Sequence, residues 1–179
     1  ATAATTAEHV RRDHADFVGR GLRLTTEVSQ LPLDATLEAL RVAHARGLST
    51  VVDLDVLPSD AVKGLGNRET LDAVLREADL LKPTSLAARE LFPEIESLAG
   101  LVCAIRDEYE ISTIVLTDGD QGSLLGDRDG ERWVAAYSVE SVLDSTGAGD
   151  AFFGGFLAGE ALGLDLEAAA KLGNACGAA

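Results

Sequence analysis

The sequence predicts an α/β protein, a mostly parallel sheet flanked by helices. Short β-branched runs alternate with segments of helical period along the chain. Residues 111–117 form an apolar run rich in β-branched side chains, the pattern of a fully buried strand. Asp129-Gly130 separates two further strand-like runs, which is a hairpin signal. Strands that alternate with helices imply parallel βαβ units with right-handed crossovers. Such sheets take their ligands at the carboxyl ends of the strands.

The elements follow in order. Residues 3–15 are polar and read as a helix with an exposed face. Residues 16–24 are apolar but interrupted by Gly19 and Gly21, and read as a first strand with a close backbone approach. Pro32 and Asp34 open a helix through Ala45, with Leu33, Leu37, Leu40 and Ala43 near one face, and Gly47 ends it. Ser49–Leu54 reads as a buried strand. Residues 58–67 read as a loop, with Gly64 and Gly66 as breakers. A helix over 69–78, a short strand over 79–82 and a helix over Ser85–Leu91 come next. Residues 97–109 place Leu98, Leu101, Val102 and Ile105 at helical spacing. The hairpin arms are 123–126 and 131–137. Two helices, 149–162 and Leu166 to the end, are split by Gly163.

Composition narrows the function. A formal charge of −15 repels phosphates, so neither nucleic acid nor an anionic membrane is an expected partner. Lys63, Lys82 and Lys171 are the only lysines among 15 basic residues. Acid-rich, Lys-poor composition fits a high-salt cytoplasm, and a GC-rich genome gives the same result. No apolar run approaches the length of a membrane span, and the N-terminus lacks the pattern of a signal peptide. A cytoplasmic location is expected, with Cys103 and Cys176 as buried free thiols. The chain contains no Met and ends inside an apparent helix. Residues 1–179 are therefore expected to be one partial domain, cut at both ends.

The chemistry concentrates in Asp144-Ser145-Thr146-Gly147-Ala148-Gly149-Asp150, followed by Ala151-Phe152-Phe153-Gly154-Gly155-Phe156-Leu157. Gly147, Ala148 and Gly149 let backbone N–H groups approach a ligand, because almost no side chain blocks them. A helix starting near Gly149 aims its unpaired N–H groups and positive dipole end at the same spot, which suits an anion. Asp150 in that first turn is a second negative charge beside an anion. The pairing makes sense where the carboxylate takes a proton from a hydroxyl while the N–H groups hold a phosphoryl group. Thr117-Asp118-Gly119-Asp120-Gln121-Gly122-Ser123 follows the clearest strand. Alone it reads as a hairpin turn, with Gly119 and Gly122 free to let a ligand near the backbone.

Asp-x-Thr-Gly-Ala-Gly-Asp followed by Ala-Phe-x-Gly-Gly-Phe resembles the C-terminal signature of the ribokinase, or PfkB, carbohydrate kinases. The resemblance implies a ribokinase-like, Rossmann-type sheet with the hairpin between two nucleotide-site motifs. It implies ATP-dependent phosphoryl transfer to a hydroxyl of a sugar or sugar acid. Catalytic roles fall to Asp150 as general base and to Gly147, Ala148 and Gly149 as the anion hole. Thr117, Gly119 and Gly122 match the family's Thr-x-Gly-x-x-Gly segment at the nucleotide, and Asn174 sits where a polar residue often lies near the adenine. Asp144 and Thr146 would orient the loop or bind a monovalent cation, K⁺. ATP and Mg²⁺ are the implied cofactors, with no metal ligand assigned. A homodimer is expected for the intact protein.

Two positions depart from the family. Lys82-Pro83-Thr84-Ser85-Leu86-Ala87 replaces the Asn and Glu of Lys-Pro-Asn-x-x-Glu, a pair associated with metal and phosphate placement, by Thr84 and Ala87. Asp53-Leu54-Asp55-Val56-Leu57 is similar to kinases of keto-deoxy sugar acids, but Leu57 stands where those keep an Arg. A nucleoside kinase of the same superfamily, a non-catalytic binding protein and an inactive fragment share the same motifs. His9, His14 and His44 carry no metal spacing, and the Asp118–Asp129 acids lack the closing Glu of a Ca²⁺ loop.

Overall fold

Among the described residues six strands lie in one sheet in chain order: β1 (Arg23–Glu27), β2 (Ser49–Leu54), β3 (Leu80–Pro83), β4 (Thr113–Thr117), β5 (Gly122–Asp127) and β6 (Gly130–Ala135). β1 to β4 run parallel, and β5 and β6 return antiparallel as the Asp129-Gly130 hairpin. The structure, a computed structural model, describes residues 5–140, 142 and 144–179. Ala3 and Ala4 of the predicted first helix lie outside them. The helices are α1 (Ala7–His9, a π-turn Val10–His14, and Ala15–Val18), α2 (Leu33–Ala45), α3 (Pro58–Leu65), α4 (Arg68–Arg76), α5 (Ser85–Leu91), α6 (Leu98–Tyr109), α7 (Ala148–Ala161) and α8 (Leu166–Gly177).

The two-residue period of the strands sorts their side chains into two cores. Val52, Leu54, Leu81, Ile114, Leu116 and Leu124 pack with α2 to α6 on one face. Val51, Leu80, Val115 and Leu125 pack with Phe152, Phe153 and Phe156 of α7 and Ala169 and Ala170 of α8 on the other. The result is a three-layer sandwich. Asp53, Lys82 and Thr117 each lie two residues beyond Val51, Leu80 and Val115. They therefore share the α7 side, at the carboxyl ends of their strands.

α7 and α8 touch almost backbone to backbone. A Cβ added to Gly173 would lie 2.7 Å from the Phe152 carbonyl oxygen, and one on Gly159 would lie 2.9 Å from Ala169 Cα. This close fit fixes where α7 begins. Cys103 and Cys176 are free thiols, as expected, but both are half-buried rather than buried. Among the described residues no helix is long and apolar enough to cross a membrane.

Two expectations fail. Residues 58–67 are mostly helix: Pro58 occupies the first turn, where its missing N–H costs nothing, and Ala61 is buried. Gly64 is tolerated in that helix, which ends only at Gly66. Residues 16–24 are not one strand. Thr6 caps a helical stretch that carries on to Val18, leaving Phe17 and Leu22 exposed. The strand starts at Arg23, because Arg23 to Glu27 pairs in register with Ser49 to Asp53.

Candidate active site

Strand register lays Glu27, Asp53 and Lys82 in one row across β1, β2 and β3. Lys82 is 1% exposed and Asp53 4%, and the Lys82 ammonium donates to both Asp53 oxygens, at 2.7 and 2.9 Å. The same Nζ lies 5.4 Å from the centre of the Phe153 ring, on α7. Burial pushes the Asp53 carboxyl up to about 6, against the pull of Lys82 and with added repulsion from Asp55 and Glu27. Burial, then Glu27, also raises Asp55. This end of the sheet is crowded with negative charge, and Lys82 is its buried counterweight.

The turn before α7 is built from its own polar groups. The Asp144 carboxylate accepts the Thr146 N–H at 2.8 Å, and that bond holds the exposed acid below the usual carboxylate range. Gly147 caps α7 at φ 82°, a left-handed conformation that favours glycine. Ala148 donates to the Ser145 carbonyl at 3.1 Å, and the first bond back into the turn runs from the Ala151 N–H to the Gly147 carbonyl at 2.8 Å. Gly149 and Asp150 have no backbone acceptor for their N–H groups among the described residues. Of the residues expected to form the anion hole, Ala148 spends its N–H on closing the turn, while those of Gly147 and Gly149, like that of Asp150, have no backbone acceptor among the described residues.

Asp150 lies on the first turn of α7 and helps line an open cleft of about 210 Å³ with Thr25, Thr26, Glu27, Asp53, Phe153 and Gly154. Its charge reaches Asp55 as well. The sequence reading missed Thr25, Thr26 and Glu27, because it placed the first strand upstream of them. Thr-Thr-Glu at a strand end was the available signal.

The nucleotide-motif residues also converge. Thr117 pairs with Ser123, Gly122 pairs with Ala135, and the Asn174 amide donates to the Ala135 carbonyl at 2.9 Å. Thr117 also bridges to Thr84 at the end of β3. Gly122 is required by the hairpin itself, since a Cβ there would lie 2.2 Å from the Val134 carbonyl oxygen. Gly119 sits at φ 58° with nothing within 4 Å of a Cβ, so open space faces its backbone. Buried Asn174 ties α8 to β6.

The departures seen in the sequence have visible roles. The Thr84 hydroxyl accepts the Ala87 N–H at 3.1 Å and caps α5, while Ala87 is fully buried in the larger core. Ala87 has no side-chain oxygen for a metal ion, and the Thr84 hydroxyl is engaged in the helix cap. Among the described residues no group of three or more His, Cys, Asp or Glu is arranged to hold one.

Parallel strands, a returning hairpin and a helix-start turn beside a cleft carboxylate define a kinase-type α/β domain. The chain belongs to the pfkB family of carbohydrate kinases, whose model matches residues 3–179. It is 30% identical over 155 residues to the 5-dehydro-2-deoxygluconokinase of Lacticaseibacillus casei, covering 84% of this chain and 46% of that protein. It is 26% identical over 177 residues to the 2-dehydro-3-deoxygalactonokinase of Haloferax volcanii, covering 96% of this chain and 53% of that one. A protein of E. coli described as a Ribokinase II, solved in complex with ATP and Mg²⁺, superposes with a TM-score of 0.82 at 26% identity, over 97% of this chain and 55% of its own. The ribokinase-like fold expected from the sequence is therefore correct. The chain spans about half the length of the curated relatives it matches.

Proposed function

We propose that the intact protein transfers the terminal phosphoryl group of ATP to a hydroxyl of a sugar or sugar acid in the cytoplasm. The observation that carries this is the first turn of α7. There a cleft-facing carboxylate, Asp150, stands beside the open N–H groups of Gly149 and Asp150. Asp150 takes the proton of the attacking hydroxyl, and the open N–H groups, with the positive end of α7, stabilise charge on the transferred group. Gly147 supplies the left-handed cap that aims them, and Ala148 locks the turn.

Asp144 and Thr146 set the shape of the turn and are the positions for a monovalent cation, K⁺. Thr117, Gly119 and Gly122 contact the nucleotide's phosphates and ribose, and Asn174 shapes the wall nearest the base. Mg²⁺ arrives on the nucleotide's own phosphates, the usual habit of an ion that keeps its waters and needs few protein ligands. The acceptor is a small molecule, nucleic acid and membrane are not partners, and the intact protein is a homodimer.

The test is ATP consumption by the intact gene product against neutral sugars, sugar acids and nucleosides. Turnover with a sugar or sugar acid bears the proposal out. Turnover confined to nucleosides makes it a nucleoside kinase. Nucleotide binding in calorimetry without turnover makes it a binding protein.

A further inference from the structure

We propose that Glu27 sets the charge of the acceptor, so that the cleft takes a polyol that is uncharged or carries an amine and rejects sugar acids; this rests on the kinase reading above and narrows it. Asp150, as the base, fixes where the reacting hydroxyl lies. Gly154 follows it by about one turn on the same side of α7, and a Cβ built there meets nothing within 4 Å. The body of the acceptor therefore has room to lie along α7, from Asp150 toward Gly154. Thr25 and Glu27 of β1 line the same cleft, in register with Val51 and Asp53 of β2.

The charges of the cleft are one-sided. Glu27, Asp53 and Asp150 line it, and none of its lining residues is a Lys or Arg. Asp53 is already paired with Lys82, at 2.7 and 2.9 Å, and Asp150 stands at the start of α7. Glu27 accepts only the Ser29 hydroxyl, a neutral donor. Among the described residues no Lys, Arg or His pairs with Glu27 or with Asp55. Glu27 adds to the upward push that burial gives Asp53 and Asp55, so its charge is felt along the row. An acceptor carboxylate placed beside it meets a like charge in a cleft that water only partly screens. An uncharged polyol escapes that cost, and an ammonium group reverses it.

A structural role does not account for the charge. Glutamine in place of Glu27 would accept the same Ser29 hydroxyl without repelling Asp53 and Asp55. The carboxylate thus works against the fold and has no compensating ion pair among the described residues. Its return comes from what it keeps out of the cleft.

The test uses the intact gene product and calorimetry, with matched probes that differ in charge: glucosamine, glucose and glucuronate, and the corresponding galactose set. The neutral sugar is expected to bind about ten- to a hundredfold tighter than its acid, and the amino sugar at least as tightly as the neutral one. Glu27→Gln narrows the gap between neutral sugar and acid by about tenfold, whereas Glu27→Asp, which keeps the charge, retains most of it. If Glu27→Gln does not fold, the parent alone decides: the gap shrinks at high salt, because the discrimination is electrostatic. An acid that binds as well as its neutral parent in either set, or no charge order in both, overturns the proposal. So does a gap unchanged in Glu27→Gln, or unmoved by salt. Failure to phosphorylate any acceptor sinks the kinase reading alone if the charge order in binding persists.

Discussion

Ala at position 122 destabilises the hairpin strongly, while Ala at position 119 costs little, although both glycines belong to one motif. Gly122 has φ 123° and ψ −141°, a region reserved for glycine that costs another residue about 1–3 kcal/mol. The added Cβ would also lie 2.2 Å from the Val134 carbonyl oxygen and 2.7 Å from the Ala136 nitrogen. These are backbone atoms, so relief requires β5 and β6 to part. Parting them strains the bonds from the Asp118 N–H to the Gly122 carbonyl (2.8 Å) and from the Ala136 N–H to the Gln121 carbonyl (3.2 Å). At about 1 kcal/mol per bond, the whole loss is about 3–5 kcal/mol. Gly119, at φ 58° with open space around it, loses only about 1–2 kcal/mol through left-handed backbone strain. Urea denaturation of the intact gene product measures both losses, and ATP calorimetry shows that Gly119→Ala weakens the nucleotide while leaving the fold. Equal stability losses at the two positions would refute the steric reasoning.

Asp53 makes stability depend on pH with a definite sign. Its carboxyl rises from 3.8 to about 6 on folding, so between those values the folded chain binds the proton more tightly than the unfolded one. Stability therefore falls as pH rises through that window, by up to about 3 kcal/mol, relative to Asp53→Asn. Urea midpoints at pH 4 and 7 check it, and a rise for the parent relative to the variant contradicts it. Gly173→Ala pushes a methyl against the Phe152 carbonyl oxygen and ring, at 2.7 and 3.0 Å, and costs about 1–3 kcal/mol while shifting the start of α7. Thermal melting and kcat should fall together. Gly154→Ala meets nothing within 4 Å and gains about 0.5–1 kcal/mol of helix stability. Because Gly154 lines the cleft, its melting temperature rises while acceptor KM also rises.

Local signals in the sequence located most elements, and long-range register located the site's ionic floor. Ser49–Leu54 and Ser85–Leu91 were legible because burial period, Gly47 and Pro83 mark them from within. Asp129-Gly130 announced its hairpin for the same reason. Residues 58–67 were not legible, since Gly64 and Gly66 read as breakers while the helix draws its stability from tertiary packing of Ala61. Thr-Gly-Ala-Gly-Asp was readable as a helix-start turn, but which N–H groups stay open depends on how Ala148 bonds to Ser145. Nothing local says that Lys82 in Leu-Leu-Lys-Pro meets Asp53. Their contact exists because β2 and β3 pair with Asp53 opposite Lys82. A one-residue slip of either strand would send its charge to the other face and break the pair.

The central claim is that Asp150 removes the acceptor proton. The most direct measurement is single-turnover phosphoryl transfer by Asp150→Asn in the intact gene product, with ATP affinity measured alongside. Loss of a general base lowers the transfer rate by about 10² to 10⁴. ATP affinity should stay within a few-fold of the parent, because the N–H groups at the start of α7 remain. Transfer that survives the substitution within a few-fold would contradict the account.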